Sequence, residues 1–350
     1  MTETRKVQEI RGSFYLYLPK SWCDENQIEK QQEISIEVLE NNNLLLTNKK
    51  NTHPLIGQIS INLDEWEEEN TDIFYLIFSS YISGADKIII TSEKKIKLQL
   101  RQQIDKMVRN LIDLEILEED EYKIVIRTLG QTPEDIKNIF QRMLNNVLYM
   151  LDPFSESDAI SNESKEDIKK LEKSSEIIIS RHKDVKRFAS FIERGIHMLL
   201  RNRNQLRQLK WSVNDCIFNL MVVKYAEAIA GHGSKIAELI PEIELNGYNN
   251  IKELACGAYN IFKDSIIVYQ YGNMMEAYKI FNNHTDIDKL DNLKSELSTA
   301  SNLMVYHLKR IISYSRRIAE LAVHKYISKT VASSRTEALQ KPKLEEKKES

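Results

Sequence analysis

Residues Ile217 to Leu239, IFNLMVVKYAEAIAGHGSKIAEL, decide the fold, because the chain repeats their central part. Val222-Val223-Lys224-Tyr225-Ala226-Glu227-Ala228-Ile229-Ala230 aligns without a gap on Ile311-Ile312-Ser313-Tyr314-Ser315-Arg316-Arg317-Ile318-Ala319, at an offset of 89 positions. The tyrosines and the Ile-Ala pairs coincide. In each copy the apolar residues recur at spacings of three and four, which places them on one face of a helix. Ala226, Ala230, Ser315 and Ala319 keep that face small enough for a close neighbour. A period this long predicts a duplicated bundle of several helices, since short solenoid repeats run about 20–50 residues.

Working outward, the pattern predicts a helix from Thr132-Pro133-Glu134-Asp135, which supplies a cap, a first-turn proline and acids against the helix dipole. Its apolar stripe runs Ile136, Ile139, Phe140, Met143, Leu144, Val147, Leu148, Leu151, followed by a polar loop over 153–162. Further helices are expected over 166–200 and 211–239, then, beyond a joint at 241–250, over 251–271, 274–298 and 303–327. The expected architecture is therefore two three-helix repeats, spanning 131–330. The tail 331–350, ending KPKLEEKKES, has the mixed charge of a disordered segment.

The repeated element resembles the last helix of each half of a PhoU domain, where the stretch reads Tyr-Leu-Glu-Arg-Ile-Ala-Asp-His-Ala. Members of that family often carry Glu-x-x-x-Asp pairs, whose two carboxylates leave one helix face toward a metal ion. The matching positions here are Glu227 with Gly231 and Arg316 with Glu320, so each copy has lost one carboxylate. The family's acidic motif on the preceding helix falls on Lys183-Asp184-Val185-Lys186 and on Thr285-Asp286-Ile287-Asp288. Glu227, Asp286, Asp288 and Glu320 are thus the metal candidates of a degenerate set, which predicts one weakly held ion at most and no other cofactor. His232 stands where the family has a framework histidine, so a surface or packed histidine is the first reading and a ligand next to Glu227 the second.

The N-terminal part has different patterning. Residues 1–50 read as short strands around a brief helix, with Arg11-Gly12 as a hairpin break, SFYLYL as a strand and Pro19 at a helix start. RKVQEIRGSFYLYLPKSW is similar to the AbrB/SpoVT/MazE swapped-hairpin family, whose Gly-Ser strand running into Leu-Pro-Lys matches Gly12, Ser13, Leu18, Pro19 and Lys20. That resemblance implies a homodimer and DNA contact through Arg5, Lys6, Arg11 and Lys20. The module carries 7 Lys/Arg against 8 Asp/Glu, so DNA contact and a purely dimerising role both stand. Residues 51–130 read as a small α/β linking domain, with strands at 58–63, 87–90, 115–117 and 123–126 and helices at 72–82 and 98–111. Within it Tyr81-Ile82-Ser83-Gly84-Ala85-Asp86-Lys87-Ile88 is similar to a Tyr-x-x-Gly-x-x-x-Ile element joining the two other modules in archaeal PhoU-like regulators.

Composition bounds the function. A 350-residue chain with 42% hydrophobic and 29% charged residues suits two or three globular domains. A net charge of −3 supplies no global drive toward nucleic acid or an anionic membrane, so any such binding is local. The basic run 194–210, with Arg201, Arg203, Arg207 and Lys210, is one local candidate, and a solvated helix end explains it equally. Cys23, Cys216 and Cys256 lack metal-ligand spacing and fit a reducing cytoplasm. No signal-like start and no apolar run of about 18 residues point to membrane insertion. No nucleophile–base set has motif context, so an enzyme is not expected. The resemblances imply a regulator of phosphate uptake that contacts a transporter or sensor component, or DNA. The alternative is an AbrB-type transcriptional regulator whose helical bundle senses another effector.

Overall fold

The computed structural model describes residues 4–38, 44–48, 57–66, 73–155, 165–242, 248–272, 274–282 and 298–332. It is mainly helical, with a small β-containing N-terminal part. Two compact units divide at Gly57/Gln58.

The first unit holds two hairpins and one short helix. β1 (Gln8–Ile10) pairs antiparallel with β2 (Ser13–Tyr15) across Arg11 and Gly12, both at positive φ; α1 (Lys20–Glu25) follows Pro19. β3 (Ile34–Val38) pairs antiparallel with β4 (Leu44–Asn48). The strands of the first hairpin are shorter than the alternation over 5–18 predicts. No apolar side chain among this unit's described residues is buried.

The second unit joins a four-stranded sheet to the bundle, so the linking domain and the bundle expected as separate pieces cluster together. β5 (Gln58–Asn62) runs parallel to β6 (Lys87–Thr91) through the crossover helix α2 (Ile73–Ile82). α3 (Leu98–Arg109) leads to β7 (Leu114–Glu119) and β8 (Lys123–Thr128), and the strand order is β5-β6-β8-β7. Ile88, Ile90, Ile124 and Ile126 pack with Ile77, Tyr81 and Ile104 of the two helices. Val125 alternates to the other face and is buried as well.

The bundle comprises α4 (Pro133–Ser155), α5 (Lys165–Arg201), the short α6 (Arg203–Gln208), α7 (Val213–Leu239), α8 (Tyr248–Tyr271), α9 (Met274–Asn282) and α10 (Thr299–Ala332). Thr132 caps α4 through its Oγ1, which accepts from the Asp135 amide at 3.2 Å, while Asp135 accepts from the Thr132 amide. Ser212 and Asp215 form the same reciprocal box at the start of α7. α4 runs through Pro153 to Ser155, where the sequence suggested a loop from 153. α9 ends at Asn282, and the rest of the expected helix over 274–298 lies largely outside the described residues, as do Asp286 and Asp288.

α4, α5 and α7 pack as one three-helix half; α8, α9 and α10 pack as the other. α7 against α10 and α4 against α8 join the halves over one continuous core. The duplicated helices meet at their matching residues. Tyr225 and Tyr314 have ring centroids 5.8 Å apart. Seven residues on along α7 and seven back along α10, His232 meets His307. The two helices therefore run antiparallel, with the 89-residue repeat related by a local twofold through the tyrosine pair. Ala226, Ala230, Ser315 and Ala319 are all buried, as their size predicts.

Candidate functional site at the junction of sheet and bundle

Arg194 on α5 is the most informative residue of the second unit. It is spaced on the helix with Phe191 and Met198, and only 1% of it is exposed. Its guanidinium donates to the carbonyls of Tyr81 (2.8 Å) and Ala85 (2.9 Å), and pairs with the Asp86 carboxylate at 3.3 Å. The Thr128 hydroxyl lies 3.4 Å away, and the cation stands 5.2 Å from the centre of the Tyr81 ring. The carbonyl of Tyr81, which also accepts from the Gly84 amide, and that of Ala85 just beyond α2 thus meet a cation, the charge that a helix C-terminus favours.

This geometry explains the Tyr81-to-Ile88 element. Tyr81 is fully buried and its hydroxyl donates to the Ile112 carbonyl at 2.9 Å, which fixes α2 to the strand region beyond α3. Gly84 ends the helix at φ +87°, and a Cβ there would stand 3.4 Å from both Met198 and Arg201. Gly195, beside Arg194, lets α4 approach: a Cβ at that position would lie 2.6 Å from Ile136 Cγ1. Arg194 belongs by sequence to the basic run on α5 and α6, yet it faces inward. Its position on the apolar face of α5, next to a glycine, was the available signal.

Beside this joint, α2, α5 and α7 enclose a cleft of about 400 Å³. Tyr75, Phe78 and Ser79 line one wall; Glu193, Lys224 and Glu227 line the other. The Lys224 ammonium lies 2.6 Å from Glu193 and 3.9 Å from Glu227. Burial pushes the Glu227 carboxyl above the usual carboxylate range, Lys224 draws it back, and Glu193 raises it further. An internal cation therefore sits between the two acids, where a metal ion would have to displace it.

The predicted metal residues are accordingly not gathered into one site among the described residues. Glu227 faces α5. Glu320 pairs along its own helix with Arg317 at 2.9 Å and stands 4.0 Å from His324. His232 faces α10, away from the Glu193–Lys224–Glu227 group. Gly231 lies under His182, whose Nε2 would stand 3.7 Å from a Cβ at that position. Among the described residues no three His, Cys, Asp or Glu side chains are grouped to hold a metal ion. Arg5, Lys6, Arg11 and Lys20 are exposed on the first unit. Among the described residues no helix is long and apolar enough to cross a membrane.

No family model, curated protein or solved structure matches the chain.

Proposed function

We propose that this chain is a non-enzymatic regulator of phosphate uptake, built from a PhoU-like two-repeat bundle, a linking sheet and an AbrB-like dimerising module. The observation that carries this reading is the antiparallel contact of the duplicated helices at Tyr225 and Tyr314. A pair of matched three-helix halves supports the PhoU comparison better than the motif residues alone do. The grip of Arg194 on the Tyr81–Asp86 segment supports it further, because that segment carries the resemblance to the joining element. In this reading the sheet transmits between the bundle, which contacts a transporter or sensor component, and the dimeric N-terminal module.

The test is genetic and direct. Cells lacking the protein should take up phosphate at a high rate irrespective of supply, and the full-length chain should restore control. Uptake that stays normally regulated without the protein would overturn the proposal. The exposure of Arg11 and Lys20 favours a second reading, a DNA-binding transcriptional regulator sensing another effector. If that reading holds, Arg11→Ala with Lys20→Ala weakens binding to every DNA sequence, and binding falls steeply with salt as phosphate neutralisation releases counterions.

A further inference from the structure

The histidine contact between the repeats breaks the local twofold. His232 and His307 approach with their Nδ1 atoms 2.9 Å apart and their ring centroids 5.1 Å apart. Applying the 89-residue offset maps His232 onto Leu321 and His307 onto Phe218. Those two mates belong to the apolar core or pack against it. Packing at this level of the seam is thus satisfied by a leucine and a phenylalanine on one side of the twofold, and the other side carries two imidazoles instead.

We propose that His232 and His307 form a two-histidine site for a divalent transition ion of the Cu²⁺ or Ni²⁺ class. Two ligands in adjacent square-planar positions, each about 2.0–2.1 Å from the ion, stand about 2.9 Å apart. The observed separation of the Nδ1 atoms fits that arrangement, and water completes the coordination. In the metal-free hydrogen bond one Nδ1 carries the proton. For both Nδ1 atoms to coordinate, that ring shifts its proton to Nε2, with no net proton released. Both rings are ready ligands at neutral pH: burial and the neighbouring His307 and Arg310 push His232 down to about 4, and burial with Lys235 lowers His307.

The surroundings set the strength. On α7, Lys235 is paired with Glu238 at 2.7 Å. On α10, Arg310 lies 4.8 Å from the centre of the Tyr314 ring and donates to its hydroxyl at 2.7 Å. Tyr306 and Tyr314 flank the His232 ring. Arg310 therefore stands near the ion as a like charge, so with two protein ligands the binding is weak.

The experiment uses the untagged full-length chain titrated with Cu²⁺ at pH 7, read by calorimetry and electron paramagnetic resonance. One equivalent should bind with the superhyperfine pattern of two nitrogens. His232→Leu and His307→Phe should each weaken that binding by about tenfold or more, because each removes one of two bonds to the ion. These substitutions copy the residues of the other repeat, so the variants should keep the wild-type circular dichroism. Should His182→Ala abolish the signal while His232→Leu and His307→Phe leave it unchanged, the proposal is overturned. It is equally overturned if wild type binds no more Cu²⁺ than the double variant.

Discussion

Phe14 and Tyr17 of the N-terminal unit stand 76% and 61% exposed, whereas Tyr81 and Phe262 of the second unit are fully buried. The contrast extends to aliphatic side chains: Ile36 and Val38 face solvent on β3, while Ile88 and Ile90 are buried on β6. Both units contain strands with the same period-two alternation. What differs is the cover. The sheet of the second unit has α2 and α3 against it, whereas among the described residues of the first unit the one helix is α1, none of whose residues is buried. Among the described residues of the first unit the apolar strand faces stay uncovered, and the homodimer proposed above would cover them.

The comparison breaks most severely at Arg194. Arg194→Ala removes the buried donor to the Ala85 carbonyl and to Asp86 and one of the two donors to the Tyr81 carbonyl, and should destabilise the second unit by about 3–5 kcal/mol. Urea unfolding of the full chain measures this. A loss under about 1 kcal/mol would show that the sheet and bundle do not depend on that joint. A smaller effect is expected next door. Gly195→Ala forces a methyl group against Ile136, and the α4–α5 contact should give way at a cost of about 1–3 kcal/mol.

Phe14→Asp should have the opposite signature. It places a charge on a face already open within one chain, so the unfolding free energy of the second unit should change by less than about 0.5 kcal/mol. Sedimentation should nevertheless shift from dimer to monomer at micromolar concentration. A wild-type chain that sediments as a monomer would remove the basis for the whole contrast.

These differences also explain what is legible in the sequence. The bundle was readable because the duplicated Tyr–Ile–Ala spacing is a helical pattern that survives in one dimension, and Ala226 and Ser315 are buried where their size indicated. The strands around Ile88 and Ile124 are readable as short β-branched runs. The junction was not, because a buried arginine is made safe by carbonyls of Tyr81 and Ala85, more than a hundred residues away in sequence. Nor could local spacing show that Glu227 faces Lys224 and Glu193. That depends on which flank of α7 meets α5, and the family motif suggested a metal-binding face instead.

Glu227 gives the finest test, since its environment separates a charge half-buried in a cleft from one exposed on a helix. Its carboxyl is raised in the folded state by burial, so the folded chain holds this proton more tightly than the unfolded chain does. Stability contributed by the neutral acid is present at low pH and is lost as pH rises from the unfolded value of about 4.5 through the higher folded one. Glu227→Gln removes that loss while Lys224 keeps Glu193 at 2.6 Å. The variant should be as stable as wild type at pH 7, within about 1 kcal/mol, and its urea midpoint should vary less between pH 5 and pH 7. If the variant instead loses several kcal/mol at pH 7, Glu227 is held chiefly by Lys224 and the ion pair outweighs the cost of burial. An unchanged pH slope would place the carboxylate in solvent, outside the cleft.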